Sequence, residues 1–573
     1  MQSNPFLRTL LAVMFIAVLA SCHSNKQGKF IPKDALMVIV ADAKSLASKL
    51  PWDEIKKNPQ LQQVLSDNST PGYVKSLLNN PDSSGVDVQS DLIMFMQKDS
   101  IGGYMAFEGT VKDANLFKRF VKKLFTGADE NTQGGITYLT SYQNCIGWDE
   151  EKFIYITDVP GMRYMSAASK RYDPYEDIKS RDVPLTMKQL FALDGSSSLG
   201  KNEKFTSLMK ESGDIRFWFN GEKFYAGMGS SMAAGPLSVL NLEDVYKNNV
   251  TTAVLSFDNG KISINTKSYS NDKIMDFYKK YMSDKLNDDM LKRIPGKDVD
   301  VAFAMNLKTE GIKELLTILG AEGLANGQLK QFGLSMDDIA KAFKGDFVFG
   351  LTDLSVRMDS ATYTLPSGFV YKYPKPITEY NLIFGGSIGD KDAFNKVNNV
   401  VQTEVNHGMV YSDTPPPVAI DNNGNFFAVS NKKETNTQFL SGSTSNFDFI
   451  SLIDGQSTGG YVNVTSLLKG CEGMMDRDST AREIYDASLK TWKSITFKGG
   501  DVNGDAVTSS FEINLVDNST NSLKQLNQYA ASISAAVAKR EQRVQAERQR
   551  YLDQMNQQNN LIEQPPVSSP SSN

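Results

Sequence analysis

The sequence predicts an α+β protein: two similar domains in tandem, each an antiparallel β-sheet covered by helices, with a further helix at the C-terminus. Three observations carry that prediction. Ile31-Pro32-Lys33-Asp34-Ala35 leads through an apolar strand at 36–40 into a helical run at 45–50, and Ile294-Pro295-Gly296-Lys297-Asp298 leads through 299–307 into 311–316; such self-similarity marks a duplicated unit. The strand candidates come in adjacent runs joined by short turns, as hairpins do, with helical stretches between them. The chain has 573 residues, more than one hydrophobic core ordinarily serves.

The first repeat covers 31–293. After its opening strand come helical segments at 51–65 and 73–78, then a hairpin of strands at 92–96 and 103–108. Asp113 is placed to cap a helix whose Leu116, Phe117, Phe120, Val121 and Leu124 share one face. Strands at 136–140, 144–148 and 153–157, helices near 162–169, 186–193 and 203–210, and a strand at 215–219 follow. After the small-residue stretch 227–236, a hairpin at 252–257 and 261–267 turns on Asn259-Gly260, whose residue types tolerate positive φ. A helix at 273–282 closes the repeat.

The second repeat, 294–518, answers in the same order. Strands at 347–351 and 380–385, a helix from Lys391 to Val401, strands at 409–411, 418–420 and 425–429, a strand at 460–464 and a closing pair at 494–497 and 507–515 take the places of their counterparts. Residues 359–376 have no counterpart. They hold Tyr363, Phe369, Tyr371 and Tyr373 among prolines and read either as an elongated hairpin whose rings cover a sheet edge or as an arm that binds a partner. The C-terminal helix, 519–560, puts Leu523, Leu526, Ala530, Ile533 and Val537 on one face and turns charged and Gln-rich from Lys539; 561–573 reads as a disordered tail.

Composition narrows the function. Net charge is −5 with both signs interspersed, so the basic footprint of a nucleic-acid-binding protein is missing. Arg8 and the apolar run 10–20 form a signal-peptide core, 1–21, ending in Leu19-Ala20-Ser21-Cys22. A large aliphatic residue, two small ones and Cys make the lipobox pattern, so Cys22 is the expected lipidation site, with 22–30 as the tether. Acyl chains on that Cys anchor the chain to a membrane at about 0.8 kcal/mol per buried methylene. Cys145 and Cys471 are expected as free thiols.

Chemistry is sparse. His stands only at 23 and 407, and neither a metal nor a cofactor site is expected. Gly455-Gln456-Ser457-Thr458-Gly459 matches the nucleophile-elbow pattern, yet a strand follows the Ser where a helix is needed. The Ser-x-x-Lys runs at Ser207 and Ser466 lack their companion boxes in order. Asp501, Asn503 and Asp505 alternate like calcium ligands without the closing Glu, so a turn is expected.

With its lipobox, the Ile31-Pro32-Lys33-Asp34-Ala35 start and tandem α+β halves, the chain resembles a Bacteroidota lipoprotein family of unknown function, DUF4836. The resemblance implies export and anchoring and brings no catalytic residue. The expectation is a lipoprotein of the outer membrane, on its periplasmic face or at the surface, working as a non-catalytic binding or scaffold module for an envelope protein or glycan. The alternative is an envelope hydrolase acting on glycan or peptide.

Overall fold

The computed structural model describes residues 28–99, 101–165, 180–226, 240–282, 284–410, 418–442, 447–477 and 479–562. Helix and strand alternate along them, and the strands form one large antiparallel sheet. In chain order the strands are β1 Met37–Ala41, β2 Leu92–Asp99, β3 Gly102–Thr110, β4 Asp129–Gln133, β5 Ile136–Ser141, β6 Asn144–Trp148, β7 Lys152–Asp158, β8 Ile215–Asn220, β9 Val250–Asp258 and β10 Lys261–Tyr269. They continue as β11 Val299–Asn306, β12 Phe343–Thr364, β13 Val370–Ile388, β14 Ala419–Asn422, β15 Phe426–Ser430, β16 Thr458–Val462, β17 Trp492–Asn503 and β18 Ala506–Leu515. The helices that matter below are α1 Ala43–Lys49, α2 Ala114–Leu124, α3 Val183–Phe191, α4 Glu203–Lys210, α5 Met336–Ala342, α6 Lys391–Val410, α7 Lys433–Ser441, α8 Ile450–Ile453, α9 Ser479–Thr491 and α10 Ser522–Ile562.

Strand pairing runs from one edge to the centre as β4-β5-β6-β7-β3-β2-β1-β8-β9-β10. From the other edge it runs β14-β15-β13-β12-β11-β16-β17-β18. The two series meet where β10 pairs with β18, antiparallel, from Lys261 opposite Asn514 to Tyr269 opposite Ala506, with Asn265 opposite Ser510 at the middle. Each meeting strand is the second arm of a hairpin, β9–β10 or β17–β18.

Alternation decides which face is dry. Across β9, β10 and β18 the rows Leu255–Ile264–Phe511 and Phe257–Ile262–Ile513 point to one face. There Leu46 of α1 and Leu523 and Leu526 of α10 pack with Leu255, Phe257, Ile262 and Ile513. On the other face of the flanking strands, α3 and α4 bring Met187, Leu190, Phe205 and Leu208 onto Val38, Val40 and Trp218. On that same face Phe439 of α7 and Ile450 and Ile453 of α8 pack over Ala302 and Ala304. Helices α2 on one side and α5 with α6 on the other close two further clusters, around Phe117 and Phe394.

Local signals place these helices well. The Asp113 carboxylate accepts from the Asn115 and Leu116 N–H groups, and Ser335 with Asp338 makes a reciprocal capping box at the start of α5. Several expectations are corrected. Leu124 is exposed rather than part of the apolar stripe of α2. Residues 409–410 continue α6 rather than starting a strand, and 411 lies outside the described residues. β4 was not expected: its five residues are all exposed and polar, so burial wrote no alternation into them. At the β9–β10 turn only Gly260 takes a left-handed conformation, φ +69°, while Asn259 keeps negative φ. The docked face of α10 holds Leu523 and Leu526, packed on the body, beside buried Ser522, Gln525 and Ala536 and with Tyr529 edge-on to Trp492; of the expected stripe, Ala530 and Val537 are exposed.

Candidate functional site

The helix layers over the two flanks leave a gap above the central strands, and the strand alternation makes its floor polar. The row Thr252–Lys267–Thr508 is followed by Val254–Asn265–Ser510 and then Ser256–Ser263–Glu512. This crevice of about 190 Å³ lies across the β10–β18 joint, with Glu211 on one side and Gln456 on the other. Glu211 follows the last turn of α4, and Gln456 lies in the loop before β16. The floor continues along β9 and β10, past Val250 and Ser270, into a depression of about 680 Å³ bordered by Glu203, Lys204 and Asp505.

The crevice's charges are already spoken for. Lys267 Nζ lies 2.7 Å from Glu211 Oε1, and that hydrogen bond holds the lysine's pKa above its ordinary value. Gln456 Nε2 donates to Asp501 Oδ2 at 2.7 Å. Lys204 Nζ sits 4.4 Å from the centre of the Tyr269 ring. What remains for a ligand is a set of short hydroxyl and amide groups, suited to exchanging hydrogen bonds with a polar molecule.

The aromatic arm is a two-stranded ribbon, the far ends of β12 and β13, paired from Ser355–Glu379 to Thr364–Val370. Opposed residues share a face, so Tyr363, Tyr371 and Tyr373 lie together, with Ala361 opposite Tyr373. The Tyr371 and Tyr373 rings are nearly parallel, centroids 6.4 Å apart. Tyr363, Phe369, Tyr371 and Tyr373 are 57%, 64%, 57% and 39% exposed. Strand addition is discouraged on both sides. Pro374 and Pro376 have no N–H to offer, and the Ser360 N–H is taken by Asp359 Oδ1 at 2.8 Å.

Other residues singled out in the sequence have structural roles. Ser457 is buried, its Oγ 3.4 Å from the Gly499 carbonyl, and Ser466 donates to the buried carboxylate of Asp300 at 2.6 Å. Asp501, Asn503 and Asp505 sit at the β17–β18 turn, and no group of acidic, His and Cys side chains among the described residues could hold a metal. Cys145 is buried and Cys471 half-buried, both free. Cys22 and His23 lie outside the described residues. No helix among those described is long and apolar enough to cross a membrane. The crevice residues escaped sequence reading, although polar Lys261, Ser263, Asn265 and Lys267 alternating with Ile262 and Ile264 was a signal for one wet sheet face.

The model of the family described as a domain of unknown function (DUF4836) matches residues 28–369, more than half the chain. The chain belongs to the DUF4836 family. The match ends at Phe369, in the turn of the ribbon, and so takes in all of β1 to β12. No curated protein matches. Among solved structures, crystal forms I and IV of TP0453 are similar, at 10% and 9% identity and TM-scores of 0.23 and 0.24. They cover 43% and 42% of this chain and 78% and 79% of those chains. Scores at that level do not establish a shared fold.

Proposed function

We propose that this DUF4836 protein is a cell-envelope lipoprotein, anchored to the outer membrane through lipidated Cys22 on the periplasmic face, and that it works as a non-catalytic binding or scaffold module. Two tandem α+β units, 31–293 and 294–518, make up its body. The matching strand order on either side of the β10–β18 joint supports the tandem reading, and Leu19-Ala20-Ser21-Cys22 supports the anchor. The observation that carries the binding role is the polar crevice over the joint, whose one carboxylate–lysine pair is self-satisfied. The Tyr363–Tyr371–Tyr373 face of the ribbon is a second contact surface, for an envelope protein or glycan.

The test is a pull-down from native envelope with three baits: wild type, Asn265→Asp with Ser510→Asp, and Tyr363→Ser with Tyr371→Ser and Tyr373→Ser. A partner retained by wild type and lost from one variant supports the reading. Identical retention by all three removes both surfaces. Turnover of an envelope glycan or peptide by the wild type would favour a hydrolase instead. Palmitate labelling of wild type against Cys22→Ala tests the anchor; equal label in both removes it.

A further inference from the structure

The last helix is longer than its docking needs. α10 has 41 residues, and its contacts with the body end in the salt bridge Lys539–Glu483 at 3.0 Å and the hydrogen bond from Arg543 to Thr480 at 2.6 Å. From Val544 to Met555, every residue of α10 is exposed. Helix polar all round and unsupported is marginal in water. This one is not polar all round. Val537, Val544 and Tyr551 recur at intervals of seven residues, and Met555 follows four later; they are 42%, 54%, 63% and 43% exposed. With Glu541 and Arg548 between them, these positions are the two seam positions of a heptad, covering about 28 Å of helix at 1.5 Å per residue. The seam is turned roughly a third of a circle from the face that carries Ala536, Lys539 and Arg543, so these last contacts with the body leave it open.

Charge selects the occupant and its direction. Paired in parallel with itself, the seam would set Glu541 against Glu541 and Arg548 against Arg548, which is unfavourable. Paired antiparallel about the midpoint between Val544 and Arg548, it sets Val537 level with Met555 and Tyr551 level with Glu541. Glu541 of each copy then lies within one turn of Arg548 of the other, twice over by symmetry. We propose that residues 537–555 are a self-association seam that joins two copies of this chain as an antiparallel helical pair. The inference needs neither the lipid anchor nor the crevice.

The experiment is sedimentation velocity on the mature chain carrying Cys22→Ala. Wild type is expected as a dimer, and Val544→Glu with Tyr551→Glu as a monomer with unchanged near-UV circular dichroism. Glu541→Arg and Arg548→Glu should each be monomeric, since every seam charge then has one sign, whereas an equimolar mixture of the two should form heterodimers. A monomeric wild type overturns the proposal, including one that instead sediments with vesicles of anionic phospholipid. So does a dimer that survives Val544→Glu with Tyr551→Glu, or a mixture of the two charge variants that stays monomeric.

Discussion

Replacing Asp214 with alanine should loosen the central strands of the first half far more than any surface change. Its side chain is fully buried and ties three elements together. It accepts from Ser45 Oγ of α1 at 2.5 Å, from Lys49 Nζ at 2.6 Å and from the Phe257 N–H of β9 at 2.5 Å. Alanine leaves a buried N–H without a partner, about 1–3 kcal/mol, and releases a lysine that is only 24% exposed. Removing one member of a buried charged pair costs about 3–5 kcal/mol, which sets the scale of the whole loss. Each 1.4 kcal/mol is tenfold in local opening, so amide exchange in β8, β9 and α1 should speed up by roughly a hundredfold to a few thousandfold. Exchange read by mass spectrometry of peptides from those segments measures this without assuming one global transition. The second half supplies the control. Asp300, also fully buried, takes Ser466 Oγ at 2.6 Å and the Leu354 N–H at 2.8 Å, so Asp300→Ala should leave β8 and β9 at their wild-type rates. Exchange in β8 and β9 of Asp214→Ala within tenfold of wild type would refute the reasoning.

Glu108 should make the protein less stable as pH rises. It is almost fully buried, 3.6 Å from Lys152 Nζ, with Oε2 unpartnered among the described residues. Burial holds its pKa above the ordinary value, so the folded state keeps the proton longer. Its stabilising contribution is present at acid pH and is lost as pH climbs through the folded-state value. Glu108→Gln should abolish that slope in urea midpoints measured from pH 4 to 8; parallel profiles would count against it. Cys145, its thiol pushed up to about 11 by burial, should be only about one part in a thousand thiolate at pH 8, against roughly a quarter for an ordinary thiol. Native alkylation should therefore label half-buried Cys471 first, and equal labelling would contradict the burial. Gly385→Ala would press a methyl into the ring of Phe439, which is fully buried; a loss of about 1–3 kcal/mol is expected from urea unfolding. The triple Tyr→Ser ribbon variant should stay within about 0.5 kcal/mol per site of wild type, and a larger loss would show the rings to be structural.

The sequence by itself determined much of the secondary structure, because burial writes a period into it. Phe117 and Val121 mark α2, and the alternation through Lys261 to Lys267 marks β10. Local chemistry set several boundaries, such as Asp113 before α2 and Gly260 in the hairpin turn. It also determined what the chain lacks the residue types to build, a His-based relay above all. Only the tertiary structure decided how distant strands are joined. That β10 pairs with β18 depends on hydrogen bonds between backbones some 250 residues apart in number, and backbone groups carry no residue-specific signature. For the same reason the crevice was hidden: Thr252, Lys267 and Thr508 become one row only through that register. Exposure on a projecting element was equally invisible. Tyr363, Tyr371 and Tyr373 would read the same in a core, and the seam from Val537 to Met555 could be recognised as unpartnered only once α10 was seen to outrun its dock.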